Sequence, residues 1–403
     1  MKIDKEINIL FNTFWKFSKT KEAITRLPFS PENEKTVIFL KNYLKKIGKK
    51  VYVDDFGNVA SYSNNKESKI VFISHYDSVP NGGKYDGIAG IVFGLILLNE
   101  IKNSELFNRV ELIAFNNEES SKFGRASLGS KYFFKNLEEL DFNSLLEKKE
   151  KISELMSEYN FSKYSEIEKP IYRPGTNFFE IHIDQTYELI EKKAIIGIVE
   201  KIAGHIRMKV DIEGKVDHSG LIDIEKRKNS LISASELVLY CRRLSEYYSE
   251  FETVATVTRM FNSPNITNMV PGNTELFIDI RGTNLSKINE IKTEIISKIK
   301  DNDSRYKTTS ISEIVSQNFP AEMNRNMLVK LNKLFKSNNL SKEIMNSVAW
   351  HDIAEVTEFF NTNLIFIQNP SGRSHCPEEE INLTAFKALL EIFIENLGDL
   401  IDN

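Results

Sequence analysis

The sequence predicts an α/β protein interrupted by an inserted ferredoxin-like α+β domain, on three observations. Strand and helix signals alternate through the first half of the chain. Residues 205–317 carry the order β-α-β-β-α-β. The α/β texture then resumes, so 1–204 and 318–403 are expected to form one domain around the insertion.

Ile7, Leu10, Phe11 and Phe14 recur at helical spacing, with Lys5, Glu6 and Lys16 breaking any long apolar run, which predicts an amphipathic packing helix and not a targeting signal. Val51–Ser63 alternates around a turn at Asp55–Gly57, and Ile70–Ser74 is a short apolar run of the kind a buried strand shows. Gly87–Leu98 is apolar nearly all round, as a buried helix is. Glu111–Phe115 is a further strand that stops at a polar cluster, the place where open α/β sheets put ligands. Residues 140–172, rich in Lys, Glu and Ser, are expected to be a solvated helical excursion. In the insertion, strands are expected at His205–Gly214, Thr253–Phe261, Glu275–Arg281 and Tyr306–Ile314, with helices at Asn229–Leu244 and Leu285–Ile299.

Composition narrows the function. With 53 Lys and Arg against 57 Asp and Glu, the net charge of −4 gives no footprint for nucleic acid or an anionic membrane. No run reaches the roughly 20 apolar residues of a membrane span. Two cysteines, Cys241 and Cys376, are too few for a disulfide framework and fit a reducing compartment, so a cytoplasmic protein is expected.

Only six histidines occur, and three lie beside acidic residues at strand or loop positions. His75 opens His75-Tyr76-Asp77, eleven residues before Asp86. Tandem Glu118-Glu119 follows the apolar run Leu112–Phe115, His182 sits in Glu180-Ile181-His182-Ile183-Asp184-Gln185, and His375 in Ser374-His375-Cys376-Pro377-Glu378. Mixed imidazole and carboxylate donors suit Zn²⁺, Mn²⁺ or Co²⁺. A two-metal site needs a bridging carboxylate and an unligated base, and Asp86 and Glu118 are candidates for those two tasks.

The wording of these motifs is specific. The run Ser74-His75-Tyr76-Asp77-Ser78-Val79-Pro80-Asn81-Gly82-Gly83-Lys84-Tyr85-Asp86-Gly87 resembles the first metal motif of the N-carbamoyl-L-amino-acid hydrolase and allantoate amidohydrolase family. Asn117-Glu118-Glu119-Ser120-Ser121-Lys122-Phe123 resembles its second motif and Phe179–Gln185 its third. Asp217-His218-Ser219-Gly220, Asn229, Ser263-Pro264-Asn265, Asn268-Met269-Val270-Pro271-Gly272, Asp279-Ile280-Arg281, His351-Asp352 and Ser374–Glu378 continue the resemblance in order, from about Phe29 to Leu383.

That resemblance implies a dinuclear-metal exopeptidase-like catalytic domain whose insertion serves as lid and dimerisation domain. It implies two divalent ions per subunit, one held by His75, Asp86 and His182 and the other by Asp86, Glu119 and His375, with Asp77 orienting His75. Glu118 would be the general base and His218 the oxyanion donor, reaching the partner's site in a homodimer. Asn268 and Arg281 would bind a substrate carboxylate and Gln185 the ureido group. The implied reaction is hydrolysis of a C–N bond in a small N-carbamoyl amino acid or related ureido compound. On the residues alone, Arg281 is equally a surface ion-pair partner, His218 an exposed loop residue, and His351-Asp352 a helix start with Asp352 as cap.

Two other readings stay open. One is a related dinuclear enzyme that cleaves peptide or N-acyl bonds; the other is a non-catalytic binding protein on this fold. The imidazole of His182, where a carboxylate is the alternative, favours the carbamoylase side, and a binding module has no need of Glu118. Four departures from the family touch substrate choice: Thr186 after Gln185, His205 where Gln is common, Leu221-Ile222-Asp223-Ile224 after the His218 motif, and Trp350 before His351.

Overall fold

The computed structural model describes residues 2–18, 20, 23–63, 70–135 and 151–401. These divide into two units, the first of residues 1–200, 322–345 and 350–403, the second of residues 201–321 and 346–349.

The first unit opens with helices α1 (Lys2–Lys16) and α2 (Pro31–Lys46), and Ile7, Leu10, Phe11 and Phe14 of α1 are buried as the helical spacing predicts. Ser30 caps α2 by accepting from the N–H of Asn33, with Pro31 in the first turn. Strands β1 (Lys50–Val53) and β2 (Val59–Tyr62) form the hairpin expected around Asp55–Gly57. Then come β3 (Ile70–His75), α3 (Ile88–Ile101), β4 (Val110–Phe115), α4 (Leu128–Phe134), α5 (Ile152–Tyr159), β5 (Asn177–Ile183), α6 (Glu188–Glu191) and β6 (Ile196–Ile202). The neighbours β4, β3 and β5 run parallel. Such strands are covered on both faces, which is why every residue of β3, β4 and β5 is buried, the polar Glu180 and His182 of β5 included. Helix α3 lies against these three strands and buries Ile88–Leu98 on all sides. Part of the expected 140–172 excursion, residues 140–150, lies outside the described residues. The described part departs from a solvated excursion. Ile152 and Phe161 are buried in the main core, and Phe161 stacks on Tyr159 at 5.3 Å.

In the second unit β7 (Gly204–Glu213), β8 (Asp217–His218), α7 (Ser230–Tyr247), β9 (Thr253–Ser263), β10 (Met269–Val270), β11 (Asn273–Gly282), α8 (Leu285–Tyr306) and β12 (Thr309–Asn318) follow in order. The sheet β12-β7-β11-β9 is antiparallel throughout. Alternation places Ile206, Met208, Val210 and Ile212 with Leu276, Ile278 and Ile280 in one core with Leu237 and Cys241 of α7 and Ile288, Ile291 and Ile295 of α8. The expected strand start at Tyr306 is corrected. The helical period continues through Ile299 to buried Asn302, whose amide donates to the Ser233 carbonyl, and Tyr306 ends the helix with its hydroxyl on Glu236.

The chain then adds β13 (Ala321–Glu322), α9 (Arg325–Ser337), β14 (Lys342–Ser347), β15 (Asn361–Ile367) and α10 (Leu383–Ile401). Strand β15 pairs parallel with β5, extending the parallel centre of a nine-stranded sheet. Among the described residues, no helix is long and apolar enough to cross a membrane.

Candidate metal centre

The parallel strands deliver donors at their C-terminal ends. His75 is the last residue of β3, Glu118 and Glu119 follow the end of β4 at Phe115, and His182 is one residue from the end of β5. Asp86 lies in the loop leading into α3, where Gly87 has φ +66° and a Cβ would lie 2.5 Å from the His75 ring and carbonyl. Only glycine allows the chain to pass that close.

The five residues implied as ligands converge into two groups, His75 with Asp86 and His182, and Asp86 with Glu119 and His375; within each, the donor atoms lie within 4.8 Å of one another. Asp86 belongs to both, one oxygen to each. Its Oδ1 lies 2.9 Å from His182 Nε2 and 3.5 Å from His75 Nε2. Its Oδ2 lies 2.9 Å from His375 Nε2, and that nitrogen is 3.2 Å from Glu119 Oε1. The other ring nitrogens face carbonyl oxygens, His182 Nδ1 that of Ile183 at 3.0 Å and His75 Nδ1 that of Asp77 at 3.3 Å. A carbonyl there holds the proton on Nδ1 and frees Nε2 for a metal. The donor set therefore fits a pair of divalent ions.

His375 has φ +58° and Asn117, before Glu118, has φ +64°. Left-handed backbone in a non-glycine residue costs on the order of 1–3 kcal/mol and gathers at functional sites. His375 is also the open side of the cluster, its side chain 46% exposed against 7% for Asp86.

Charge is concentrated here. Burial alone would raise Asp86, but bonds from His182, His375 and His75 outweigh it and hold the carboxyl well below its ordinary range. Bonds to Asp86 and Glu119 push His375 up to about 11. Burial, helped by neighbouring Glu119, Asp352 and Asp77, raises Glu118 well above a normal glutamate. Burial and His182 drive His351 well down, so it stays neutral, its ring edge-on to His182 at 4.7 Å.

Asp77 reaches more than His75. Its Oδ1 is 3.6 Å from His75 Nδ1, while its two oxygens accept the backbone N–H of Glu118 at 3.0 Å and of Glu119 at 3.1 Å. Sequence reading missed this clamp. Gln185 Nε2 stands 3.5 Å from both Asp86 oxygens. The Thr186 departure leaves the turn well held, because Asp184 accepts from Thr186 N–H and Oγ1 and from Leu189 N–H. Trp350 donates its indole N–H to Glu355 at 2.9 Å. Asp352 is not a cap: His351 holds the N-cap position of a short helical turn, and Asp352 accepts the Ser130 hydroxyl at 2.6 Å.

His218, Asn268 and Arg281 lie in the second unit. His218 and Asn268 are exposed neighbours on the β8–β10 ribbon, where Ser219 N–H donates to the Asn268 carbonyl. That ribbon leaves the sheet at the Asn273 end of β11, where Gly272 bonds Ser263 and Gly214. Arg281 is near the opposite end, facing His205 across the ladder, about 27 Å of strand away. Its guanidinium makes a two-point pair with Asp279, at 3.0 and 3.2 Å. His205 is buried with Nε2 3.3 Å from Ser316 Oγ, and Leu221 and Ile224 are each 77% exposed.

Residues 71–398 match the model of peptidase family M20/M25/M40. The chain belongs to that family. An uncharacterised hydrolase of Haemophilus influenzae is 34% identical over 373 residues, 90% of each chain. An N-carbamoyl-L-amino-acid amidohydrolase of Pseudomonas sp. (strain NS671) is 28% identical over 412 residues, 98% of this chain and 99% of that one. An M20-like fold is also seen in the solved structure of an amidase of the hydantoinase/carbamoylase family from Burkholderia multivorans, with TM-score 0.85 at 21% identity over 99% of this chain and 98% of that one. This M20-family chain is a hydrolase.

Proposed function

We propose that the protein hydrolyses a non-peptide C–N bond in a small N-carbamoyl amino acid or related ureido compound, with two divalent ions of the Zn, Mn or Co kind and Glu118 as base. One observation carries this reading: each oxygen of Asp86 belongs to a different donor group, as a carboxylate bridging two ions requires. The Pseudomonas relative's activity on N-carbamoyl-L-amino acids supports the substrate class.

When bound, the ions would supply polarisation of the substrate carbonyl and acidification of water. His75, His182, Glu119, His375 and Asp86 would hold them. Glu118 belongs to neither donor group, and its backbone is clamped by Asp77, so its carboxylate is free to take a proton from the attacking water and return it to the departing nitrogen. Gln185, beside Asp86, would meet the ureido group.

His218, Asn268 and Arg281 would complete the site. A small substrate does not span from the β8–β10 ribbon to Arg281 along one chain, so we assign the two ends of β11 to sites of different copies in a homodimer. His218 would donate to the developing oxyanion, with Asn268 beside it, and Arg281 would pair with a substrate carboxylate.

The test is product release from a panel of N-carbamoyl-L-amino acids, ureido acids, N-acyl amino acids and dipeptides, with the protein reloaded with Zn²⁺, Mn²⁺ or Co²⁺. Turnover confined to the carbamoyl and ureido members is expected. Turnover confined to dipeptides or N-acyl amino acids would replace this reading with a peptidase or deacylase. No turnover and no metal uptake would leave a binding protein.

A further inference from the structure

Glu379 stands four residues beyond His375 and belongs to neither donor group, yet it is only 3% exposed. Its Oε1 accepts the backbone N–H of Tyr85 at 2.7 Å and of Asp86 at 3.0 Å. Its Oε2 accepts the hydroxyl of Ser374 at 2.8 Å. Ser374 precedes His375 directly, and the same hydroxyl stands 3.4 Å from Asp86 Oδ2. The N–H of Glu379 donates to the Cys376 carbonyl at 3.2 Å, which folds 376–379 into a turn.

One buried carboxylate thus ties two loops that are distant in sequence, the one carrying Asp86 and the one carrying His375. The approach is close enough to dictate a neighbouring residue: a Cβ at Gly83 would lie 2.1 Å from the Glu379 carboxyl carbon. Both carboxylate oxygens are engaged by donors, so the group orients its surroundings and is not available as a ligand. The left-handed backbone of His375 needs such outside support, because nothing in its own conformation favours φ +58°.

We propose that Glu379 is a positioning residue that sets the distance between Asp86 and His375 and so fixes the geometry of the Asp86–Glu119–His375 group. This rests on the metal reading given above. A purely structural Glu379 would change thermal stability and leave the metal affinity of the folded protein alone; a positioning Glu379 changes affinity at one ion out of two.

The experiment is calorimetric titration of the chelator-stripped full chain with Zn²⁺ alone, beside thermal melting of the metal-free protein. The wild-type chain is expected to take up two ions. Glu379→Ala is expected to weaken one of them by about 10–100-fold, the range for groups that orient metal ligands. Glu379→Gln keeps an acceptor oxygen for the Tyr85 and Asp86 N–H groups and is expected to restore most of that loss. Ser374→Ala, which removes the hydroxyl that bonds Glu379 and stands near Asp86 Oδ2, is expected to weaken the same ion with an unchanged metal-free melting temperature. Wild-type affinity for both ions in Glu379→Ala overturns the proposal, as does wild-type affinity in Ser374→Ala should Glu379→Ala fail to fold. A wild-type chain that takes up no Zn²⁺ overturns the metal reading itself.

Discussion

The carboxylate of Asp77 holds the backbone of Glu118 across 41 residues of sequence, accepting its N–H at 3.0 Å with Oδ1 while Oδ2 takes the N–H of Glu119 at 3.1 Å. The same carboxylate lies 3.6 Å from His75 Nδ1. One side chain at the end of β3 therefore places the proposed base, one proposed ligand after β4, and the imidazole beside it. Asp77→Asn turns an acceptor into a donor facing one of those N–H groups. It is expected to lower both Zn²⁺ affinity and turnover by about 10–100-fold. Wild-type values of both, in a protein that melts like wild type, would confine Asp77 to packing.

The double membership of Asp86 makes its removal different in kind from the others. His75→Ala or His182→Ala is expected to empty one ion site, and Glu119→Ala or His375→Ala the other, each leaving close to one ion per chain by elemental analysis. Asp86→Ala should disturb both. Two ions retained by the Asp86 variant would refute the bridge.

Much of this candidate centre is legible in sequence because its imidazoles and carboxylates stand at or just past strand ends, where an apolar run stops at a polar residue. His75 and Glu118-Glu119 show that signature directly. The second unit is legible for a similar reason: period-two alternation in β7 and β11 and helical spacing in α7 and α8 state which face is inside. What escapes is contact at long range. Nothing local marks Asp77 as the acceptor for amides after the next strand, or Glu379, rather than its neighbour Glu378, as the partner of Tyr85 and Asp86. Gly83 is the one clue, a glycine kept where another backbone segment brings a carboxylate close. Phe161 was hidden by composition, since a Lys- and Ser-rich surrounding gives no sign that one ring is fully buried.

Glu118 offers a separation of chemistry from binding. Because it lies outside both donor groups, Glu118→Gln should keep two ions and the wild-type melting temperature. Turnover should fall by roughly 10²–10⁴-fold, the usual contribution of a general base. Turnover within a few-fold of wild type would mean that another group handles the proton.

The geometry of β11 yields the sharpest test of how the site is assembled. His218 and Asn268 share one ribbon at the Asn273 end, while Arg281 faces His205 near the other. If the two ends serve different sites of a homodimer, defects at opposite ends must complement and defects at the same end must not. His218→Ala and Arg281→Ala homodimers should each be strongly impaired, the first by on the order of 10²–10³-fold for a lost oxyanion donor. After dissociation and mixing, a heterodimer gathers both lesions in one site and leaves the other intact. Random reassociation of a twofold dimer should then restore about one quarter of wild-type turnover. His218→Ala mixed with Asn268→Ala keeps one lesion in every site, so it should restore nothing. Recovery in both mixtures, or in neither when heterodimers are demonstrably present, would show that the two ends of β11 do not divide between copies and would withdraw His218 from the partner's site.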